Sequence, residues 1–392
     1  MKNNRLFSKE RTETHDIYHI FGIKIAFPNK LFRRESDASK IIQNSLDLTH
    51  IINAKKLIVF LTPPTLKLNG GIMSIFSLCQ ASRDIVKDAF CCISTFPGKY
   101  TYIINDSFYN NERVLRFEQI INNAKKVQEL ILHIPEYYSK KFYKNLKKKD
   151  IKFLQSIPSL HINIMNQNIE LMPEPNVLKD LYRLTNNITQ TIAHNRYATQ
   201  EVCDKWNIPT HLFSVNIDLS KYRTVDFFDK ENIIVLSPDK NEYKDNIVEK
   251  LKKDFPNFEI ITVQNMTFNE YMDLISRAYF TVTFGEGMDG YFTQPYYVNS
   301  IGFAVYNDKF FPDKSWENIP TLYNSYESML ENIADNMNKF LNNEKLYKDT
   351  INIFLEKHKL LYNPIKYKEN LNRFYNKKYD FLPRQECISY AK

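Results

Sequence analysis

At 392 residues the chain is long enough for two or three domains of ordinary size, and 43% hydrophobic with 25% charged residues excludes a disordered chain or a fibrous repeat. A balance of 53 Lys+Arg against 45 Asp+Glu leaves a net charge of +8, which suits a phosphorylated ligand, an anionic lipid surface or nucleic acid without choosing among them. Five cysteines (Cys79, Cys91, Cys92, Cys203 and Cys387), with no Cys-x-x-Cys spacing, argue against a disulfide framework and a zinc site and point to free thiols in a reducing cytoplasm.

The N-terminus is polar and lacks the apolar core of a signal peptide. Residues 1–45 read as a basic arm, with Ile17–Phe27 as a short extended ribbon. Lys56–Leu61 is a continuous apolar run typical of a strand buried on both faces, and Leu57–Leu61, the longest such run, is far short of the roughly 20 residues that a membrane span needs. A loop over 62–71 leads to an amphipathic helix at Ile72–Lys87. Strands follow at Phe90–Thr95 and Tyr100–Asn105, then a helix at Glu112–Lys126, a strand at Leu130–Ile134 and a Lys/Tyr-rich helix at Glu136–Lys149. The first half closes with strand Leu160–Met165, helix Glu174–Leu184 and strand Ile188–Ala193.

A second series begins at strand Asn232–Ser237 and runs through helix Lys244–Asp254, strand Phe258–Val263, helix Asn269–Ser276, strand Tyr279–Phe284, a turn and helix, and strand Gly302–Asn307. Helices at Ser328–Leu341 and Glu344–His358 precede a Tyr/Lys/Asn-rich tail. Strand and helix alternating at these intervals predict largely parallel sheets with crossover helices, in two halves.

The stretch Tyr279–Pro295 carries the most chemistry. An apolar strand ends at Phe284, and Gly285, Gly287 and Gly290 crowd the turn before a helix near Pro295, a geometry that sets backbone N–H groups against an anion. These glycines spell G-x-G-x-x-G, with Asp308 past the next strand, as in a dinucleotide-binding oxidoreductase. Three features count against that reading: the unit lies late in the chain, about one strand follows it, and Glu286 would face a pyrophosphate. A purely structural glycine turn is the other alternative.

Two further segments fit a different pattern. Thr191–Tyr222, with Asn207-Ile208-Pro209 and Ser214-Val215-Asn216-Ile217-Asp218, resembles the interdomain segment of GT-B glycosyltransferases related to the GT4 family. The turn at 285–295 is then similar to that family's E-x7-E element, with Glu286 as the first acid and Gln294, a departure, in the place of the second. Leu236–Lys244 resembles the loop that carries a basic pair toward the donor diphosphate. Lys244 takes the second place; Asp239 stands at the first by strict spacing, with Lys240 beside it. Pro63–Gly71 is similar to the family's first strand–loop, where Gly70 and Gly71 open a helix facing the cleft. The resemblance spans about residues 56–355 and includes rhamnosyltransferase-type enzymes of bacterial surface polysaccharides.

The fold this implies is α/β, GT-B: two Rossmann-like domains with parallel sheets facing a central cleft, and a helical C-terminus. The expected divisions are an arm at 1–45, an acceptor domain at 46–212, a nucleotide-sugar domain at 213–355 and a tail at 356–392 crossing back to the first domain. The resemblance implies transfer of a sugar from a nucleotide-sugar donor to a growing, lipid-linked surface glycan. It also implies retention of configuration and no cofactor or metal, with Glu286 and Lys244 as catalytic residues. Lys240, Gly285, Gly287, Asp289, Gly290, Tyr291 and Gln294 are expected at the donor, and Gly70, Gly71 and His194 at the acceptor. The basic and aromatic helix carrying Lys140, Lys141, Lys144, Lys147, Lys148, Lys149 and Lys152 is expected at a membrane surface on the cytoplasmic side; nothing resembles a nucleic-acid module. A binding protein on a degenerate GT-B fold is the alternative that Gln294 keeps open.

Overall fold

The computed structural model describes residues 7–11, 15–20, 23–28, 48–63, 70–97, 114–214, 218–264 and 266–384. The expected strand at Tyr100–Asn105 and the motif residues Val215-Asn216-Ile217 lie outside them, as does most of the loop before Gly70.

Three sheets organise the chain. An antiparallel sheet joins β1 (Phe7–Arg11), β2 (His15–Ile20) and β3 (Ile23–Pro28). A seven-stranded parallel sheet comprises β4 (Lys56–Thr62), β5 (Phe90–Thr95), β6 (Val114–Arg116), β7 (Glu129–Pro135), β8 (Ser159–Asn166), β9 (Ile188–Ile192) and β10 (Thr210–Leu212), in the order β10-β9-β8-β7-β4-β5-β6. A second, five-stranded parallel sheet holds β11 (Glu231–Leu236), β12 (Glu259–Thr262), β13 (Ala278–Val282), β14 (Ile301–Val305) and β15 (Leu322–Tyr323), in the order β12-β11-β13-β14-β15.

Strand periodicity distributes the core. In β4, Leu57, Val59 and Leu61 enter one buried cluster while Ile58 and Phe60 enter the cluster on the opposite face. In β11, Ile234 and Leu236 face one side and Ile233 and Val235 the other. Both sheets are thus covered on two faces, as their uninterrupted apolar runs require.

The Lys/Tyr-rich segment departs from a single helix. It divides into Glu136–Asn145 and Lys148–Ser156, with Leu146 buried and extended between them. The Asp150 carboxylate accepts the Lys147 backbone N–H at 2.9 Å and so starts a new helix where the spacing suggested continuation. The segment 174–184 is likewise shorter in helix than expected, with a 3-10 turn at Pro175–Val177 and a helix at Leu178–Leu181.

After Glu344–Leu361 packs in the second lobe, the chain passes to the first. Tyr367, Leu371 and Phe374 of the helix Pro364–Tyr375 are buried against Ile58, Phe60 and the helix Gly70–Ile85. Under this helix lies a polar layer. His133 Nδ1 accepts from Asn163 Nδ2 at 3.0 Å, and the His133 ring stacks on Phe60 at 4.3 Å and meets the Tyr375 hydroxyl at 3.3 Å; His161 pairs with Thr189 at 2.8 Å. Burial drives the His133 pKa well below its usual value and lowers that of His161 to about 4.

Candidate active site

In open parallel sheets the residues after the C-terminal strand ends are free to build a site, because the strands themselves are committed to pairing. Here the ends of two lobes meet. From the first lobe come the segments after the adjacent strands β8 and β9; from the second come those after the adjacent strands β13 and β14, with the end of β11 beside them.

Glu286 follows β13 and reaches the opposite lobe: Asn168 Nδ2 donates to Glu286 Oε1 at 3.1 Å. Asn168 is itself fixed from two sides. Its backbone N–H donates to Oε1 of the buried Glu136 at 3.1 Å, and its Oδ1 accepts the Glu170 N–H at 2.9 Å. Glu170 pairs with Lys309 across the crevice at 2.9 Å. After β9, Arg196 donates to the carbonyl and to the carboxylate of Asp308, the latter at 2.8 Å. His194, half-buried, sets its ring edge-on to Phe310 of the second lobe at 6.0 Å. Burial lowers the His194 pKa, so its ring is neutral at pH 7.

Glu286 remains exposed toward the crevice. Desolvation by the surrounding protein, then the Glu170 carboxylate, raises its pKa above the ordinary glutamate value; Asp239 adds to this and the Asn168 hydrogen bond opposes it.

The glycine turn has a strict backbone requirement at one position. Gly287 has φ +90°, and a Cβ there would stand 2.5 Å from the Val305 carbonyl and 2.9 Å from the Phe311 ring. At Gly285 a Cβ would meet carboxylate oxygens of Asp289 at 2.9 Å and Asp239 at 3.0 Å, so two acids from different loops converge on this glycine.

Asp289, expected to contact a sugar, is used by its own lobe. Its Oδ1 caps the four-residue helix Gly290–Thr293 by accepting the Phe292 N–H at 3.1 Å, and its Oδ2 accepts from the Thr283 hydroxyl at 2.5 Å. The Phe292 N–H at this helix start therefore has a partner within the chain. Burial, reinforced by Asp239, raises the Asp289 pKa to about 7. Gln294 folds over the first turn, its amide 2.8 Å from where a Gly290 Cβ would lie. Tyr291 packs edge-on against Tyr271 at 5.4 Å and gives its carbonyl to Thr281 at 2.7 Å.

Lys244 reaches the same sheet end as Glu286, but its ammonium donates to the carbonyls of Ser237 at 2.5 Å and Asp239 at 2.9 Å and lies 5.2 Å from the Phe284 ring. It braces the loop after β11 in this arrangement. Ser237 Oγ in turn accepts the Phe284 N–H at 2.9 Å, tying that loop to the glycine turn. Lys240 is exposed on the same loop. Gly70 opens the helix Gly70–Ile85, followed by Gly71; the Gln167 amide donates to Ser74 of this helix at 3.1 Å, which holds its first turns beside the segment that carries Asn168.

The expected residues thus gather on the second lobe's crevice edge, with His194 and the Gly70 helix on the first. Asn168, Glu170, Arg196 and Lys309 are absent from the sequence reading. Asn168 and Glu170 follow a recognisable strand, and their place after its C-terminal end is the signal that marks them.

The structure of an α-glucosyltransferase in complex with UDP and a 13-mer DNA containing an HMU base is similar to this chain with a TM-score of 0.53 at 10% identity, covering 82% of this chain and 98% of that one. The fold is GT-B. An α-glucosyltransferase in complex with UDP (TM-score 0.47, 11% identity, 85% and 98% covered) and a Thermobaculum terrenum O-GlcNAc transferase mutant (0.47, 7%, 87% and 70%) are also similar. No family model and no curated protein matches the sequence. In GT-B terms the first lobe is the seven-stranded sheet with the returning C-terminal helix, and the second is the five-stranded sheet. Among the described residues no helix is long and apolar enough to cross a membrane.

Proposed function

We propose that the chain is a glycosyltransferase that moves a sugar from a nucleotide-sugar donor held by the second lobe to an acceptor hydroxyl presented by the first. The observation that carries this reading is the position of Glu286. It is an exposed carboxylate on a glycine turn at a parallel-sheet C-terminal edge, facing the other lobe's strand ends with Asn168 3.1 Å away.

Departure of the diphosphate and attack by the hydroxyl separate charge, so the site must hold the leaving anion and orient the sugar. Glu286 would accept hydrogen bonds from donor hydroxyls after Asn168 yields its place. The loop braced by Lys244, with the exposed Lys240, would meet the diphosphate, and protonation of Asp289 as pH falls through about 7 would remove a charge that opposes it. Closure of the lobes through Arg196 with Asp308 and Lys309 with Glu170 would exclude water.

The finer assignment, to the GT4-like enzymes that act with retention and without a metal on lipid-linked surface glycans, rhamnosyltransferases among them, rests on the order of the motifs. The exposed lysines on Glu136–Asn145 and Lys148–Ser156 support a membrane-bound acceptor, each worth about 1 kcal/mol near an anionic surface. Gln294 and Asp239, in places where the pattern has an acid and a base, favour the second reading, a nucleotide-sugar binder without turnover.

A thermal-shift screen against UDP-, GDP-, dTDP- and CMP-sugars, followed by donor-consumption assays with membrane-extracted acceptors, tests both. Stabilisation with turnover supports transfer; stabilisation without turnover supports the binder, and stabilisation by none removes both.

A further inference from the structure

Asn166, the last residue of β8, is 2% exposed, and its two amide atoms have different fates. Nδ2 donates to Gln190 Oε1 at 3.0 Å, while the buried Oδ1 has no partner in the protein. An unmatched buried carbonyl is unfavourable, and a ligand that donates to it would recover that cost.

That oxygen belongs to a residue on the wall of a cavity of about 20 Å³ lined by the ends of β8 and β9, the helix Gly70–Ile85, Phe213 and Tyr367 of the returning helix. The volume exceeds the ~10–15 Å³ that a single water requires and suits one hydroxyl-bearing carbon. Ser74 also lines it; its Oγ accepts from Gln167, which leaves its own proton to donate. Leu78 and Phe213 supply an apolar surface. Among the described residues, Tyr367 is the only ionisable side chain on the wall, so neither a phosphate nor an ammonium would find a counter-charge. Gln167, Thr191, Ser214 and Tyr367 add further neutral polar groups, and a wall that offers acceptors and donors without charge complements an alcohol. The wall residues Gln167 and Ala193 directly precede Asn168 and His194, which meet the second lobe.

We propose that this cavity is a neutral hydroxyl subsite that anchors the acceptor sugar beside the crevice, with Asn166 Oδ1 accepting from the hydroxyl and Ser74 donating to it. The inference rests on the transfer reading for its occupant. It acts on binding and specificity: Asn166 and Ser74 hold a hydroxyl other than the attacking one.

Binding of methyl α-D-glucopyranoside, methyl α-D-mannopyranoside and methyl α-D-galactopyranoside to the full chain, followed by saturation-transfer NMR, tests it. At least one should bind, with Kd rising about tenfold in both Asn166→Leu and Ser74→Val, as expected for loss of one buried hydrogen bond. A deoxy analogue of the bound glycoside, lacking the anchored hydroxyl, should bind the wild type as weakly as the parent glycoside binds Asn166→Leu. Ser74 is half-buried on a helix, so its variant keeps the test valid if Asn166→Leu fails to fold. Failure of all three glycosides to bind the wild type overturns the subsite. So does unchanged affinity in the folded variants, which marks the cavity as a place for solvent alone. Nucleotide-sugar binding is read separately by calorimetry: its absence while a glycoside still binds sinks the transfer reading and leaves the subsite standing.

Discussion

Asn168 of one lobe and Glu286 of the other are joined by a 3.1 Å hydrogen bond, and Asn168 is locked in turn by the buried Glu136 carboxylate. The bond favours the charged form of Glu286, so a ligand hydroxyl arriving there exchanges one donor for another at little electrostatic cost. Glu286→Ala should lower donor turnover at least about 100-fold, close to 3 kcal/mol of barrier. Its melting temperature should stay near wild type, because the side chain is exposed. Wild-type turnover in that variant would remove Glu286 from the site.

Asp289 gives the site a pH dependence. With its pKa raised to about 7, the folded chain holds a proton between roughly pH 4 and 7 that the unfolded chain has released, so this group's contribution to stability falls as pH rises through that window. Asp289→Asn, which keeps a helix cap, should melt higher than wild type at pH 8 and should flatten the dependence. Calorimetry with UDP-glucose as probe should show wild-type affinity strengthening as pH falls from 8 to 6, with the variant indifferent to pH. Identical profiles would exclude Asp289 as the titrating group.

Gly287 combines a left-handed φ with a carbonyl 2.5 Å from any added Cβ. Gly287→Ala should therefore cost about 1–3 kcal/mol of stability and displace the turn that carries Glu286. Chemical denaturation measures the first effect and nucleotide-sugar binding the second. A neutral substitution would show that the turn relaxes freely.

The Arg196–Asp308 pair is solvent-exposed, with side chains 37% and 59% accessible, so its worth to folding is small. Its effect should lie in lobe separation. Arg196→Ala should leave the melting temperature within a degree or two while small-angle scattering reports a larger radius of gyration. An unchanged radius would show that the remaining contacts hold the lobes without it.

Acid should loosen the first lobe through its buried imidazoles. His161, lowered to about 4, stays neutral in the fold while the unfolded chain protonates below about 6.5, so stability is lost as pH falls from 6.5 toward 4. His161→Gln should reduce that loss, read as a smaller drop in melting temperature between pH 7 and pH 5. A drop equal to wild type would assign the acid sensitivity to another group.

The parallel sheets were legible because Lys56–Leu61 and Asn232–Ser237 are apolar without alternation, a pattern that a two-faced burial dictates. The glycine turn was legible at Gly287, where only a residue without a side chain fits. The break at Leu146 was hidden because Asp150 reads as a helix-surface residue until its bond to the Lys147 N–H is seen. Lys244 was legible as a cation near the crevice, but its commitment to two carbonyls depends on how the chain bends after β11, which no local pattern records. Asn168 and Arg196 escaped for a related reason: each acquires its meaning from a partner more than a hundred residues away.

The polypeptide passes between the lobes twice, once after β10 and again at Tyr362–Asn363, where the last helix begins its return. Two tethers define an axle. Such tethers would restrain wholesale parting of the halves and favour rotation about the line through the crossings. A small swing at that pivot would be magnified at the far rim, so a molecule lodged near Asn168 and Glu286 would govern the aperture through leverage.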